Sequence, residues 1–217
     1  MVYRIRQSLD SKEVGKYPQS EDSKVPTTID DPLYTDNLPL RKADRYLAPK
    51  PILTKRAKIT DLISAVSGTS RRLLISDTLK SILEIYSGSM QYFNTSVIYK
   101  GEEIEDYWLT NPFEFDYDAV DFSRSTVTIE ERMSTEPPKP ITITSPGEFA
   151  ELVEKVEETN LYPFTKTVHF LPPKKHFFVL RSVPGGVGYY VSEKLKNQIE
   201  DAGCTGIRFK PSDEEGI

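Results

Sequence analysis

Cysteine is almost missing from these 217 residues, with Cys204 standing alone. An intramolecular disulfide is therefore excluded, and no cysteine cluster can hold a metal. Histidine is nearly as scarce: His169 and His176 are the only two, and they do not form the His-x-x-x-His spacing that begins many zinc sites. No run is apolar for long enough to span a bilayer, and Met1 to Ser8 lack the apolar core of a secretory leader, so a cytoplasmic protein with no membrane partner is expected. There is no Gly-x-Ser-x-Gly elbow to present a nucleophile. Gly185-Gly186-Val187-Gly188 lacks the Gly-Lys-Ser/Thr ending of a phosphate loop and precedes a strand, which makes it a hairpin turn. Basic residues are also in deficit, 28 against 33 acids for a net charge of −5, which speaks against a nucleic-acid partner and suits a basic one.

What the chain does contain, it contains twice. Leu74-Ile75-Ser76-Asp77-Thr78-Leu79-Lys80 returns as Tyr190-Val191-Ser192-Glu193-Lys194-Leu195-Lys196. Each copy is an apolar run, a serine with an acid, and then apolar positions at helical spacing. This is a strand that stops at a helix N-cap, where the hydroxyl accepts a first-turn amide and the acid favours the positive end of the helix dipole. Each helix runs into a break, Ser87-Gly88 or Gly203, followed by Met90-Gln91-Tyr92-Phe93 or Gly206-Ile207-Arg208-Phe209 as a second strand. Neither copy carries a group suited to catalysis.

The remaining organisation follows from periodicity and punctuation. Residues 1–50 are polar and interrupted by five prolines; they read as an irregular arm with one strand at Val2–Ile5, anchored by Leu33, Tyr34, Leu38, Leu40, Tyr46 and Leu47. Residues 51–217 read as a single domain. Leu62, Ile63 and Val66 followed by Gly68 predict a short helix. Strands are predicted at Tyr92–Tyr99, Ile104–Leu109, Ser125–Glu130, Ile141–Thr144, Val168–Leu171 and His176–Leu180. Ser145-Pro146-Gly147-Glu148 has the form of a capping box ahead of a helix with Phe149, Leu152, Val153 and Val156 on one face. The fold class is α+β: a mixed or antiparallel sheet with a few short helices, containing the repeated strand–helix–strand unit.

Two acidic segments stand out. Glu102, Glu103, Glu105 and Asp106 precede Trp108, while Glu114, Asp116, Asp118 and Asp121 interleave with aromatics that include Tyr117. No basic side chain lies between Gly101 and Asp121. Carboxylates at alternate positions suit Ca²⁺, but the glycine and final glutamate of a true Ca²⁺ loop are missing, so no metal is expected. One reading is a solvated strand face with its aromatics turned inward. The other is a surface that docks on a basic protein, the charges speeding association and the aromatics supplying affinity. His169 and His176 read as packed or edge-strand histidines, and Cys204, between Gly203 and Thr205, as an inert small residue.

Leu73 to Lys80, Met90-Gln91-Tyr92-Phe93, Val120-Asp121-Phe122-Ser123-Arg124-Ser125, and the closing run from Tyr190 through Phe209 resemble, in that order, the bacterial immunity-protein family eleven. The resemblance spans residues 58–211. It implies a non-enzymatic antidote that binds and neutralises a cognate polymorphic toxin, without a cofactor. An enzyme with an unrecognised site, or a structural or adaptor module, are the alternatives.

Overall fold

The computed structural model describes residues 1–24, 31–35, 38–65, 71–131, 133–156 and 159–212. Its elements run β1 (Val2–Gln7), α1 (Ser11–Val14), β2 (Ser20–Lys24), β3 (Lys50–Leu53), β4 (Leu62–Ile63), β5 (Leu74–Ser76), α2 (Asp77–Glu84), β6 (Met90–Tyr99) and β7 (Glu102–Pro112). A 3₁₀ turn at Tyr117–Ala119 precedes β8 (Thr126–Glu131), β9 (Lys139–Ile141), α3 (Pro146–Lys155), β10 (Leu161–Thr167), β11 (Phe177–Val183), β12 (Gly186–Ser192), α4 (Glu193–Asp201) and β13 (Ile207–Pro211). Strands outnumber helices; β1–β12, β2–β3, β4–β5, β5–β7, β6–β7, β8–β9, β8–β10 and β11–β12 pair antiparallel, and β3–β6 pairs parallel. The fold is α+β.

The chain divides into two compact units. The first comprises Met1–Ile5, Phe115–Leu195 and the described residues from Phe209 on; the second comprises Arg6–Glu114 and Lys196–Arg208. The first holds a sheet of order β11-β12-β1-β13, whose β1 and β13 run on across the boundary, and a sheet of order β10-β8-β9. Its core gathers Tyr117, Phe122, Phe149, Val153, Phe178, Leu180 and Tyr190 among others, with Tyr117 edge-on to Phe149 at 4.9 Å. The second holds the six-stranded sheet β2-β3-β6-β7-β5-β4, packed around Leu53, Ile63, Leu74, Phe93, Val97, Tyr107 and Leu109.

Both copies of the repeat form as the sequence implies. Ser76 accepts the amide of Leu79 at 3.2 Å, and Ser192 that of Leu195 at 3.3 Å. Three and seven residues beyond each serine lie Leu79 and Leu83 in α2, Leu195 and Ile199 in α4, all with no exposed surface. Burying each such side chain is worth about 1.5–3 kcal/mol, more than the cap itself. In neither copy do the two strands pair with each other. β7 lies between β5 and β6, and β1 lies between β12 and β13. Because β5 and β6 are each antiparallel to β7, they run parallel to one another.

Three expectations are corrected. The helix expected from Leu62 is strand β4 over the described residues, since Leu62 and Ile63 are both fully buried and pair with Ile75 and Leu74; Val66 to Gly68 lie outside the described residues. Non-local pairing overrides the local helical spacing there. Val168–Leu171 is no strand. Only Phe170 makes a bridge, to Val120, and the strand lies earlier, at β10. Pro163 hides β10 from a sequence reading, yet β10 is an edge of its sheet, where a missing N–H is tolerated. The strand expected at Ile141–Thr144 begins at Lys139 and ends at Ile141. Within residues 1–50, β1 and β2 are paired strands. Tyr34 and Leu40 are buried, and Tyr46 stacks on Phe93 at 4.1 Å.

Candidate binding surface

β6 and β7 form the longest hairpin, turning at Lys100 and Gly101, both with positive φ (53° and 87°). Two consecutive left-handed residues make the primed turn that matches strand twist. On the β7 side of that turn Glu102, Glu103, Glu105 and Asp106 are all exposed. Thr95 faces Tyr107 and Val97 faces Ile104, so Ser96 stands opposite both Glu105 and Asp106. The extra residue is a bulge, and Asp106 takes the left-handed conformation at φ 64° that aspartate tolerates better than most residues.

The four carboxylates differ in their engagement. Glu103 meets Lys50 and accepts the Ser96 hydroxyl at 2.6 Å, and these bonds, that from Lys50 first, hold its carboxyl below the usual carboxylate range. Glu102, Glu105 and Asp106 make no side-chain hydrogen bond or ion pair within the described residues.

Trp108, farther along β7, is half-buried against α2. Its indole N–H donates to Asp77 Oδ1 at 3.0 Å, and Lys80 Nζ lies 4.7 Å above its ring. The same ammonium lies 5.6 Å from the Tyr92 ring and pairs with Glu84 at 2.7 Å. Desolvation pushes the Tyr92 phenol up to about 12. Ile85, at the end of α2, is 71 % exposed. Glu114 is exposed and accepts the Ser89 hydroxyl at 2.8 Å. Sequence reasoning singled out Trp108 but missed the clamp of Lys80 and Tyr92 around it. The Lys80–Glu84 spacing on α2 was its one local signal.

The other four acidic-segment residues belong to the first unit, and most have local structural work. Asp116 ties its segment to β11: its amide donates to Val179 O at 2.9 Å, its Oδ2 accepts the Val179 amide at 3.0 Å, and its Oδ1 meets Lys175. Tyr117 is a core residue, 8 % exposed. Asp121 shapes a turn by accepting the Ser123 amide at 3.1 Å and hydroxyl at 2.6 Å. Asp118 alone of these is exposed. The ten residues singled out in the sequence therefore lie in two units. Lys50 and Lys175, distant in sequence, supply the positive charge that the segment itself lacks.

The groups considered for catalysis are placed as follows. His176 Nδ1 lies 2.8 Å from the Ser192 hydroxyl, which is also the α4 cap. The backbone of His169 bonds to Asp121 and Ser125. Gly186, with φ 86°, pairs with Val183 across the hairpin turn from β11 to β12. Burial, with Asp61 adding to it, pushes the Cys204 thiol up to about 11, which suppresses the thiolate. Among the described residues no three His, Cys, Asp or Glu side chains cluster as metal ligands, and no helix is long and apolar enough to cross a membrane.

The model of an immunity protein family, Imm11, matches residues 5–214 of the 217. The chain belongs to this family. No curated protein matches it significantly. The match begins within β1 and takes in most of the residues before position 58 as well as the repeat.

Proposed function

We propose that this immunity protein neutralises a cognate bacterial polymorphic toxin in the cytoplasm by binding it directly, without catalysis, and that the toxin presents a basic face. The observation that carries the reading is the set of exposed carboxylates of Glu102, Glu105 and Asp106 on one hairpin, with no partner inside the described chain. Like charges this close oppose folding, and a basic partner offsets the repulsion. Glu103 adds to the acidic cluster, while Glu114, at the far end of the hairpin, and Trp108 and Ile85 add further exposed or half-exposed contacts on the same unit. Asp118, exposed in the other unit, is a separate candidate contact, whereas Asp116, Tyr117 and Asp121 serve the local structure.

The test is kinetic. Glu102→Lys with Glu105→Lys should lower the association rate constant for the cognate toxin at least about tenfold at low salt and flatten its salt dependence. Trp108→Ala should instead raise the dissociation rate, at a cost of about 2 kcal/mol. Unchanged rates in both variants move the interface off this hairpin. A toxin that is modified rather than held in a stable complex overturns the binding mechanism.

A further inference from the structure

In the first unit a cavity of about 480 Å³ opens beside the segment Phe170–Pro173. Its volume lies in the range that holds a whole small ligand. Phe170, Leu171, Pro172 and Pro173 form most of its apolar wall, and Leu171 is 42 % exposed on it. Arg124, His169 and Ser212 supply its polar side chains, and Met1 and Val2 complete the lining with Val168. In a chain of net charge −5, none of the lining residues is a carboxylate. The Arg124 guanidinium and the His169 imidazole make no hydrogen bond or ion pair within the described residues. The nearby Asp121 carboxylate is occupied by Ser123.

The wall is also held in place before any ligand arrives. His169 N donates to the Ser125 hydroxyl at 3.0 Å, and His169 O accepts the Asp121 amide at 2.8 Å. Leu171 N donates to Ala119 O at 2.9 Å, while the Phe170 ring packs on Tyr190 at 4.9 Å and Phe178 at 5.7 Å. A preformed apolar wall costs little ordering entropy on binding. One unengaged guanidinium beside it selects charge, since a charge-assisted bond to a carboxylate is stronger than any neutral one.

We propose that this cavity binds a small amphipathic anion, an apolar chain ending in a single carboxylate that meets Arg124 and His169. The carboxylate lies against the guanidinium and the chain covers Leu171, Pro172 and Pro173.

Decanoate is the probe and decyltrimethylammonium its cationic counterpart, both titrated calorimetrically into the full chain below their micellar concentrations. Decanoate should bind with one-to-one stoichiometry, and the cation at least about tenfold more weakly. Arg124→Gln should weaken decanoate at least about tenfold, one charge-assisted contact. Leu171→Asp should abolish binding, while Lys139→Gln, an exposed lysine outside the cavity, should leave it unchanged. Both cavity residues are exposed or partly so, and unchanged melting temperatures verify that the variants are folded. Equal binding of anion and cation, or decanoate affinity that ignores both cavity variants, overturns the proposal. So does an absence of decanoate binding in a protein whose toxin affinity falls with Leu171→Asp, since the cavity is then a protein-docking surface.

Discussion

The Ser76 hydroxyl donates to Asp61 Oδ1 at 2.6 Å while it accepts the Leu79 amide at 3.2 Å. Asp61 Oδ2 in turn accepts the Thr205 amide at 2.8 Å and its hydroxyl at 3.1 Å, just past the end of α4. One carboxylate thus joins the start of the first repeat's helix to the exit of the second's. The equivalent serine of the second copy, Ser192, faces the His176 imidazole instead of an acid. The two copies share a cap and differ in what holds it.

Ser76→Ala removes both bonds of that hydroxyl. The expected loss is about 1–2 kcal/mol in urea denaturation, the usual worth of an N-cap with a second partner left unpaired. Ser76→Thr keeps the hydroxyl and should recover most of it. An alanine variant as stable as the parent removes the cap from the account of α2.

Gly206 and Gly88 give opposite expectations for the same substitution. Gly206 has φ +79°, and a Cβ there would overlap the Leu62 carbonyl oxygen and lie 2.6 Å from Thr60 Oγ1. Gly206→Ala should cost more than about 2 kcal/mol. At Gly88 a Cβ meets nothing within 4 Å, so alanine there should be neutral or stabilising by a few tenths of a kcal/mol. Similar melting temperatures for the two variants would contradict the geometry.

Gln19, fully buried, uses every hydrogen-bonding position of its amide. Its Nε2 donates to Lys58 O at 2.8 Å and Thr60 Oγ1 at 2.9 Å, and its Oε1 accepts the Ser64 amide at 2.9 Å and hydroxyl at 3.1 Å. Gln19→Leu keeps the bulk and strands these partners, so a loss of about 3 kcal/mol or more is expected. Hydrogen exchange should quicken at Ser64, whose amide loses its acceptor. Protection unchanged at Ser64 would show that the Gln19 side chain does not hold this segment.

Cys204 sets a pH window. Burial first and Asp61 second push its thiol from 9.0 up to about 11, so the folded state favours the neutral thiol. This contribution to stability is complete below pH 9 and is lost as pH rises towards 11. Near pH 8 the folded protein holds about a hundredfold less thiolate than an ordinary thiol, and iodoacetamide should react correspondingly slowly. The rate should still be climbing at pH 10 and should match free cysteine once the chain is unfolded in guanidinium. Asp61→Asn should bring the profile down. A plateau near pH 9 in the folded parent would refute the shift.

Features decided within a few residues were legible in the sequence. The caps at Ser76, Ser145 and Ser192 and the turns at Lys100-Gly101 and Gly185-Gly186 depend on side-chain oxygens and glycines close to the backbone they serve. The α+β class followed from those signals and from the alternation in β6, β7 and β8. Tertiary structure alone made Leu62 and Ile63 a strand, because their backbone partners are Ile75 and Leu74. It also inserted β7 and β1 between the strands of each repeat. The acidic segment was decided the same way: Lys50 engages Glu103, Lys175 engages Asp116, Tyr117 is drawn into a core with Phe149, and Glu102, Glu105 and Asp106 are left without side-chain partners among the described residues. Caps and turns are contacts along the chain, whereas the Lys50–Glu103 and Lys175–Asp116 pairs, the strand order and the core contacts join separate segments, the two ion pairs across more than fifty positions. Local sequence carries the first directly, and only folding brings the second together.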